Sequence, residues 1–133
     1  MCYMNCSKLT IIFLCSIILI ACAGSELKKE AKTEFESGLS FFERGQYEEA
    51  APHFQKATEL VPDFWEAHLY LARTYLNVGK WREALPPLRT AFRLSPDESH
   101  REIGKIVMDI FFKNTSKIDQ ETQSQFIELL KLK

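Results

Sequence analysis

The chain has 133 residues, of which 46% are hydrophobic, so its length and composition allow one domain with a modest core. The formal net charge is −1, and no basic field therefore points to a nucleic-acid-binding protein. All four cysteines lie within the first 22 residues. Disulfide-stabilised domains spread their cysteines through the fold, so this distribution excludes that class.

The N-terminal segment has the layout of a secretory signal. Lys8 precedes an apolar run over residues 9–20. As a helix this run would span roughly 18 Å, which is short of the ~30 Å hydrocarbon core of a bilayer. The run ends in Leu19-Ile20-Ala21-Cys22, which resembles the lipobox of bacterial lipoproteins. The resemblance implies cleavage before Cys22, whose sulfur would carry diacylglycerol and whose new amino group would be acylated.

We therefore expect a signal peptide over residues 1–21 and a lipidated, flexible tether over residues 22–30. Two alternatives stay open, namely an uncleaved membrane anchor and an ordinary signal with an incidental cysteine. In diderm bacteria, lipoproteins without an aspartate after the lipidated cysteine usually go to the outer membrane. Ala23 occupies that position. The resemblance thus implies a protein of the bacterial envelope, anchored at the periplasmic face of the outer membrane.

One pattern of residues occurs twice in the middle of the chain, with an offset of 34 residues. The matching pairs are Gly38 and Ala72, Phe41 and Tyr75, Gly45 and Gly79, Tyr47 and Trp81, Glu49 and Glu83, Ala50 and Ala84, Phe54 and Leu88, Ala57 and Ala91, and Pro62 and Pro96. This period and residue order resemble the tetratricopeptide repeat, a helix–turn–helix unit of about 34 residues.

The resemblance implies an all-α fold, in which antiparallel helix pairs form a right-handed stack of about six helices after the signal helix. Repeat one covers residues 31–64 and repeat two covers residues 65–98. The small residues of the pattern should lie buried where paired helices cross. Residues 99–133 depart from the pattern, because their apolar stripe is displaced by about one residue. We expect them to form a divergent third repeat with capping helices, since roughly three units are needed for a stable stack.

No nucleotide-binding loop, zinc-ligand spacing or nucleophile motif is found in the sequence. We therefore expect no enzyme, no metal site and no cofactor other than the covalent lipid at Cys22. His53, His68 and His100 fall at different positions of the repeat. They are predicted to be partly exposed helix residues rather than metal ligands.

The resemblance also implies where a partner binds, because tetratricopeptide repeats use the concave surface that the first helix of each repeat forms. Chaperone-binding members clamp a terminal carboxylate with lysine and asparagine at the positions of Phe35, Leu39 and Tyr70, so that ligand is not expected here. The remaining surface suits an amphipathic helix or an apolar peptide. The predicted groove consists of Phe35, Leu39, Phe42, Leu69, Tyr70, Arg73 and Leu76.

These expectations together describe a membrane-anchored scaffold or adaptor that binds a protein partner and no nucleic acid. One alternative is a self-associating structural protein, a homodimer for instance, whose groove is filled by its own C-terminal helix over residues 119–130 or by a second copy. Another is an enzyme or small-ligand binder with a site that no sequence motif reveals.

Overall fold

The structure, a computed structural model, describes the backbone of residues 6–131 and the side chains of residues 24–131 apart from 98, 99, 102 and 130. This part of the chain is all-α, as predicted, and its first four helices pack in sequential pairs. The elements are α1 (Cys6–Glu43), α2 (Tyr47–Leu60), α3 (Trp65–Asn77), α4 (Trp81–Leu94), α5 (Asp97–Asn114), a 3-10 turn (Thr115–Lys117) and α6 (Gln120–Lys131).

Two identical turns reverse the chain between the helices of the first two pairs. Gly45 has φ +75° and Gly79 has φ +78°, the left-handed region that favours glycine. After each glycine, the next backbone N–H donates to the carbonyl five residues earlier. Gln46 donates to Phe41 at 3.0 Å and Lys80 donates to Tyr75 at 2.9 Å. This is the Schellman closure, which satisfies helix-end carbonyls and fixes the antiparallel return.

Small side chains lie where the paired helices cross. Four alanines of the repeat pattern are fully buried, which confirms the prediction that they lie at helix crossings. They are Ala50, Ala57, Ala84 and Ala91. The backbones of α1 and α2, and of α3 and α4, therefore lie close together along their lengths, whereas those of α5 and α6 do not. The residue 34 positions after Ala84 is Ile118, which lies in the connection before α6 and is buried in the core.

The core has two parts. Around repeat one, Phe54 is fully buried among partly buried aromatic residues of α1 and α3. The second part runs from α3 to α6 and includes Val107, Phe111 and Phe126. Side chains of α5 and α6 thus share a core with α3 and α4, and the assignment of residues 99–133 as a divergent third repeat stays a prediction. Among the side chains of α6 that the structure describes, the exposed ones are polar apart from Ile127, as on the outer face of a terminal repeat.

The structure differs from the prediction at the start of the domain. Residues 22–30, expected to form a flexible tether, are helical and belong to α1, which begins at Cys6 and ends at Glu43. The physical reason is local composition, because residues 26–32 are glutamate, leucine, lysine and alanine, which are all strong helix formers. Within the described part of the chain, no helix combines the length and apolarity needed to cross a membrane. The predicted lipidation concerns the Cys22 side chain, and the signal peptide begins with residues 1–5; both lie outside what the structure describes.

Candidate interaction groove

The structure divides the predicted groove into an accessible half and a buried half. Phe35, Leu39 and Phe42 on α1 are partly buried, and so are Tyr70 and Arg73 on α3. Leu69 and Leu76, in contrast, are only 7% and 3% exposed and belong to the core. Leu69 also lines a smaller cavity with Tyr70 and Arg73, and the role of Leu69 and Leu76 in binding stays a prediction.

The cause of this burial is α5, which packs against α3. Its apolar residues Ile103, Val107 and Phe111 join Leu69 and Leu76 in one core cluster. The apolar stripe of α5, which is displaced by about one residue from the repeat pattern, supplies the side chains for this contact with α3. The C-terminal helix, which fills the groove in one of the alternatives, packs against α4.

An aromatic cluster, defined here as Phe35, Phe42, Phe54, Phe64 and Tyr70, forms the base of the accessible half. The ring centroid of Phe35 lies 5.6 Å from that of Phe54, 4.9 Å from Phe64 and 5.5 Å from Tyr70. Phe42 meets Tyr70 edge-on at 5.4 Å. Each such pair contributes ~0.5–1.5 kcal/mol beyond its buried area, so the cluster ties α1 firmly to α2 and α3.

Arg73 lies against the same cluster. Its guanidinium carbon is 5.0 Å from the ring centroid of Phe42 and 4.8 Å from that of Tyr70. Its Nε atom is buried without a hydrogen-bond partner. The two rings supply cation–π stabilisation, on the order of 0.5–2 kcal/mol, that offsets part of this desolvation. Arg73 is therefore a fixed cation at one edge of the accessible half.

The accessible half contains an open cavity of about 450 Å³ between α1 and the α2–α3 turn. We name it the α1 groove. Its volume is within the ~300–1,000 Å³ typical of ligand sites. Apolar side chains form its floor, and charged side chains stand at its rim. The lining residues are Lys28, Lys32, Phe35, Glu36, Leu39, Val61 and Phe64.

Sequence reasoning identified Phe35 and Leu39 in the α1 groove and missed Val61 and Phe64. Both missed residues lie between α2 and α3, where a solvent-facing turn is usually polar. Two apolar residues within this short turn were the available signal. The N–H of Phe64 donates to the carbonyl of Val61 at 3.0 Å, and this bond holds the turn compact against α1.

Two other cavities are weaker candidates. One of about 230 Å³ between α3 and α5 is lined by Trp65, Tyr70 and Arg73, among others. A larger one, of about 590 Å³, lies at the α3–α4 turn beside Lys113 and Lys117, and its surface is mostly polar. The larger cavity lacks the apolar floor of the α1 groove. The α1 groove is thus more apolar than these two cavities.

The three histidines have local partners, as partly exposed helix residues should. His53 Nδ1 lies 2.8 Å from the Glu34 carboxylate, and its ring stacks on Phe41 at 5.3 Å. His68 Nε2 lies 3.0 Å from the Pro62 carbonyl oxygen. His100 Nε2 lies 2.6 Å from the carbonyl oxygen of Phe92. Among the residues that the structure describes, no three His, Cys, Asp or Glu side chains are grouped so that they could hold a metal ion.

Comparison with known families supports the 34-residue repeat that the sequence predicts. Residues 41–101 match the family model for the tetratricopeptide repeat. A search of curated proteins found no match to this chain. The matched segment extends from the last turn of α1 into α5 and includes all of α2, α3 and α4. Residues 41–101 of the chain are therefore similar to tetratricopeptide repeats, as the 34-residue offset predicted.

Proposed function

We propose that this protein is a scaffold or adaptor of the bacterial cell envelope, which holds a protein partner in the α1 groove and is anchored by lipid at Cys22. Tetratricopeptide repeats form interaction surfaces and commonly bind protein partners. The observation that supports this site most strongly is the apolar floor of the α1 groove, which remains open where α5 closes the neighbouring half of the concave surface.

The energetics favour an occupant for this floor. Phe35, Leu39 and Phe64 are each only partly buried, although each side chain could be fully covered. Complete burial of a leucine or phenylalanine side chain stabilises by ~1.5–3 kcal/mol relative to full exposure. An amphipathic or apolar segment that covers the floor would gain part of this amount at each of the three residues. Phe35 and Phe64 are already held by ring contacts with each other, so little side-chain entropy is lost on binding.

The lipid anchor is supported by the residues before Cys22 that resemble a lipobox. If Cys22 is the first mature residue, α1 begins at the anchor, and Lys28 follows six residues later in the same helix. Six residues of helix rise roughly 9 Å. The α1 groove would then lie close to the membrane surface, at the periplasmic face of the outer membrane. We propose no catalytic role and no cofactor apart from the lipid.

The site is tested by Leu39→Glu, which places a charge on the groove floor. Partners are first identified by crosslinking in the native cell and mass spectrometry, and the variant is then used in reciprocal capture of the same partner. We expect capture to be lost while circular dichroism remains helical. The matched control is Ile127→Glu, at an exposed apolar residue of α6. If Leu39→Glu still captures that partner, the α1 groove is not the binding site.

The anchor is tested by Cys22→Ser. We expect this protein to leave the membrane fraction and to incorporate no labelled palmitate. Retention in the membrane with unchanged lipid labelling would refute the anchor and leave the groove unaffected.

A further inference from the structure

We infer that the occupant of the α1 groove is an amphipathic helix with acidic side chains, whose carboxylates meet Lys28 and Lys32. This inference rests on the proposed function, because it names the class of partner for the same site. It depends on the charges at the rim and on the shape of the floor.

The rim of the α1 groove has excess positive charge. Lys28 and Lys32 both line the cavity and are exposed. They are four residues apart on α1, so their side chains occupy the same face of the helix in consecutive turns. The only acid in the lining is Glu36, which lies 3.8 Å from Lys32. The rim therefore carries two cations and one anion, and Lys28 is the cation without a nearby acid in that lining.

The ion pair between Lys32 and Glu36 can be replaced by a pair between Lys32 and a carboxylate of the partner. The side chains of Lys32 and Glu36 are 74% and 63% exposed, so solvent screens their attraction. A partner carboxylate that approaches Lys28 and Lys32 together would meet two ammonium groups at the edge of the apolar floor, which the docked segment would shield from water. Attraction is stronger there than between fully hydrated groups. A basic segment would meet the same two groups with repulsion.

The shape of the floor favours a helix. The α1 residues that line the groove run from Lys28 to Leu39 along one side of the helix. Eleven residues of helix rise roughly 16 Å, which equals about three helical turns of a docked segment. The opposite wall is the turn that contains Val61 and Phe64. An amphipathic helix fits this shape with apolar residues at spacings of three and four.

The experiment uses three synthetic amphipathic helices with identical leucines and with glutamate, glutamine or lysine at all polar positions. Their C-termini are amidated, which removes any terminal carboxylate. Affinity for the full chain in phosphatidylcholine nanodiscs is measured by fluorescence anisotropy. We expect the glutamate peptide to bind about tenfold more tightly than the lysine peptide, as two exposed ion pairs would give. Equal or tighter binding of the lysine peptide would overturn the inference.

Charge reversal localises the effect. Lys28→Glu with Lys32→Glu should reverse the order of the two charged peptides. The matched control is Lys117→Glu with Lys131→Glu, which changes net charge equally at exposed residues after α5 and on α6. The control should leave the preference for glutamate unchanged. If both double variants shift the preference equally, only net charge matters and the rim is refuted. Raising salt from about 50 to 500 mM should remove the preference in the unaltered chain, since screening weakens exposed pairs.

The outcomes separate this inference from the proposed function. If Leu39→Glu abolishes binding of all three peptides and charge has no effect, the α1 groove binds apolar segments and the acidic class is wrong. If Leu39→Glu changes nothing for any peptide, the groove itself is refuted. Light scattering distinguishes a further occupant, because a dimer that is lost on Leu39→Glu would show that a second copy fills the groove.

Discussion

The close approach of α1 and α2 depends on the absence of a side chain at Gly38. A Cβ atom built there would lie 2.8 Å from Cε1 and 2.9 Å from Cδ1 of Phe54. Phe54 is fully buried, and its ring is held by Phe35 at 5.6 Å and Tyr70 at 5.5 Å. The ring cannot move away without disturbing the aromatic cluster. Gly38→Ala should therefore push the two helices apart or force Phe54 out of its rotamer.

Two opposing effects set the magnitude. Replacing a mid-helix glycine by alanine stabilises a helix by up to ~1 kcal/mol. Overpacking a core costs ~1–3 kcal/mol. An added Cβ at Gly38 would lie within 3.0 Å of the Phe54 ring, which has no space to move. We therefore expect the overpacking energy to exceed the gain in helix propensity, so that the free energy of unfolding falls by about 1–2 kcal/mol. Gly104 in α5 is the matched control, since no atom lies within 4 Å of its added Cβ.

The assay is thermal unfolding of both variants, followed by circular dichroism. At about 4–8 °C per kcal/mol for a small domain, Gly38→Ala should lower the Tm by roughly 4–15 °C. Gly104→Ala should leave it unchanged or raise it by a few degrees. If Gly38→Ala raises the Tm as much as Gly104→Ala does, helix propensity dominates. The close crossing of α1 and α2 would then be refuted.

Three further predictions concern the turns, the last helix and self-association. Gly45 has φ +75°, where a side chain is strained, so Gly45→Ala should lower the free energy of unfolding by about 1–2 kcal/mol in urea titrations. An unchanged free energy of unfolding would refute the left-handed turn. The pKa of Asp119 is lowered to about 2, first by the hydrogen bond from the Thr122 hydroxyl and then by that from its backbone N–H, with Arg82 assisting. Because the folded pKa lies below the unfolded value, Asp119 should stabilise the fold above pH ~4 and lose this effect as the pH falls toward 2. Urea titrations at several pH values should show that the free energy of unfolding falls less steeply with decreasing pH in Asp119→Ala than in the unaltered chain. An identical pH dependence of the two proteins would contradict this. Phe112 on α5 is 66% exposed. If the protein self-associates through α5 and α6, light scattering should show a dimer that Phe112→Glu dissociates. A monomer at all concentrations would rule out this self-association.

The recurring features of the fold could be predicted because each reflects a local demand that the sequence repeats. Ala50 and Ala84 mark crossings where only a small side chain allows close backbones. Gly45 and Gly79 mark turns that need positive φ. These constraints act within one helix pair, so a 34-residue offset is sufficient to reveal them.

What could not be predicted depends on contacts between units. The burial of Leu69 follows from how α5 packs on α3, and the third repeat has lost the residues that would define its register. Phe64 joins the groove only because the α2–α3 turn folds against Phe35. The continuous α1 was missed for another reason. A cleavage signal marks where a chain is processed and not where a helix begins, and no helix-breaking proline occurs between Cys22 and Glu30.

The most direct test of the account is site-specific photo-crosslinking in the native cell. A benzophenone side chain is placed at Glu36, on the rim of the α1 groove, and separately at Glu128, on the exposed side of α6. The account predicts a protein adduct from position 36 that disappears when Leu39→Glu is added, and no such adduct from position 128. The same adduct from both positions, or an adduct at 36 that survives Leu39→Glu, would contradict it.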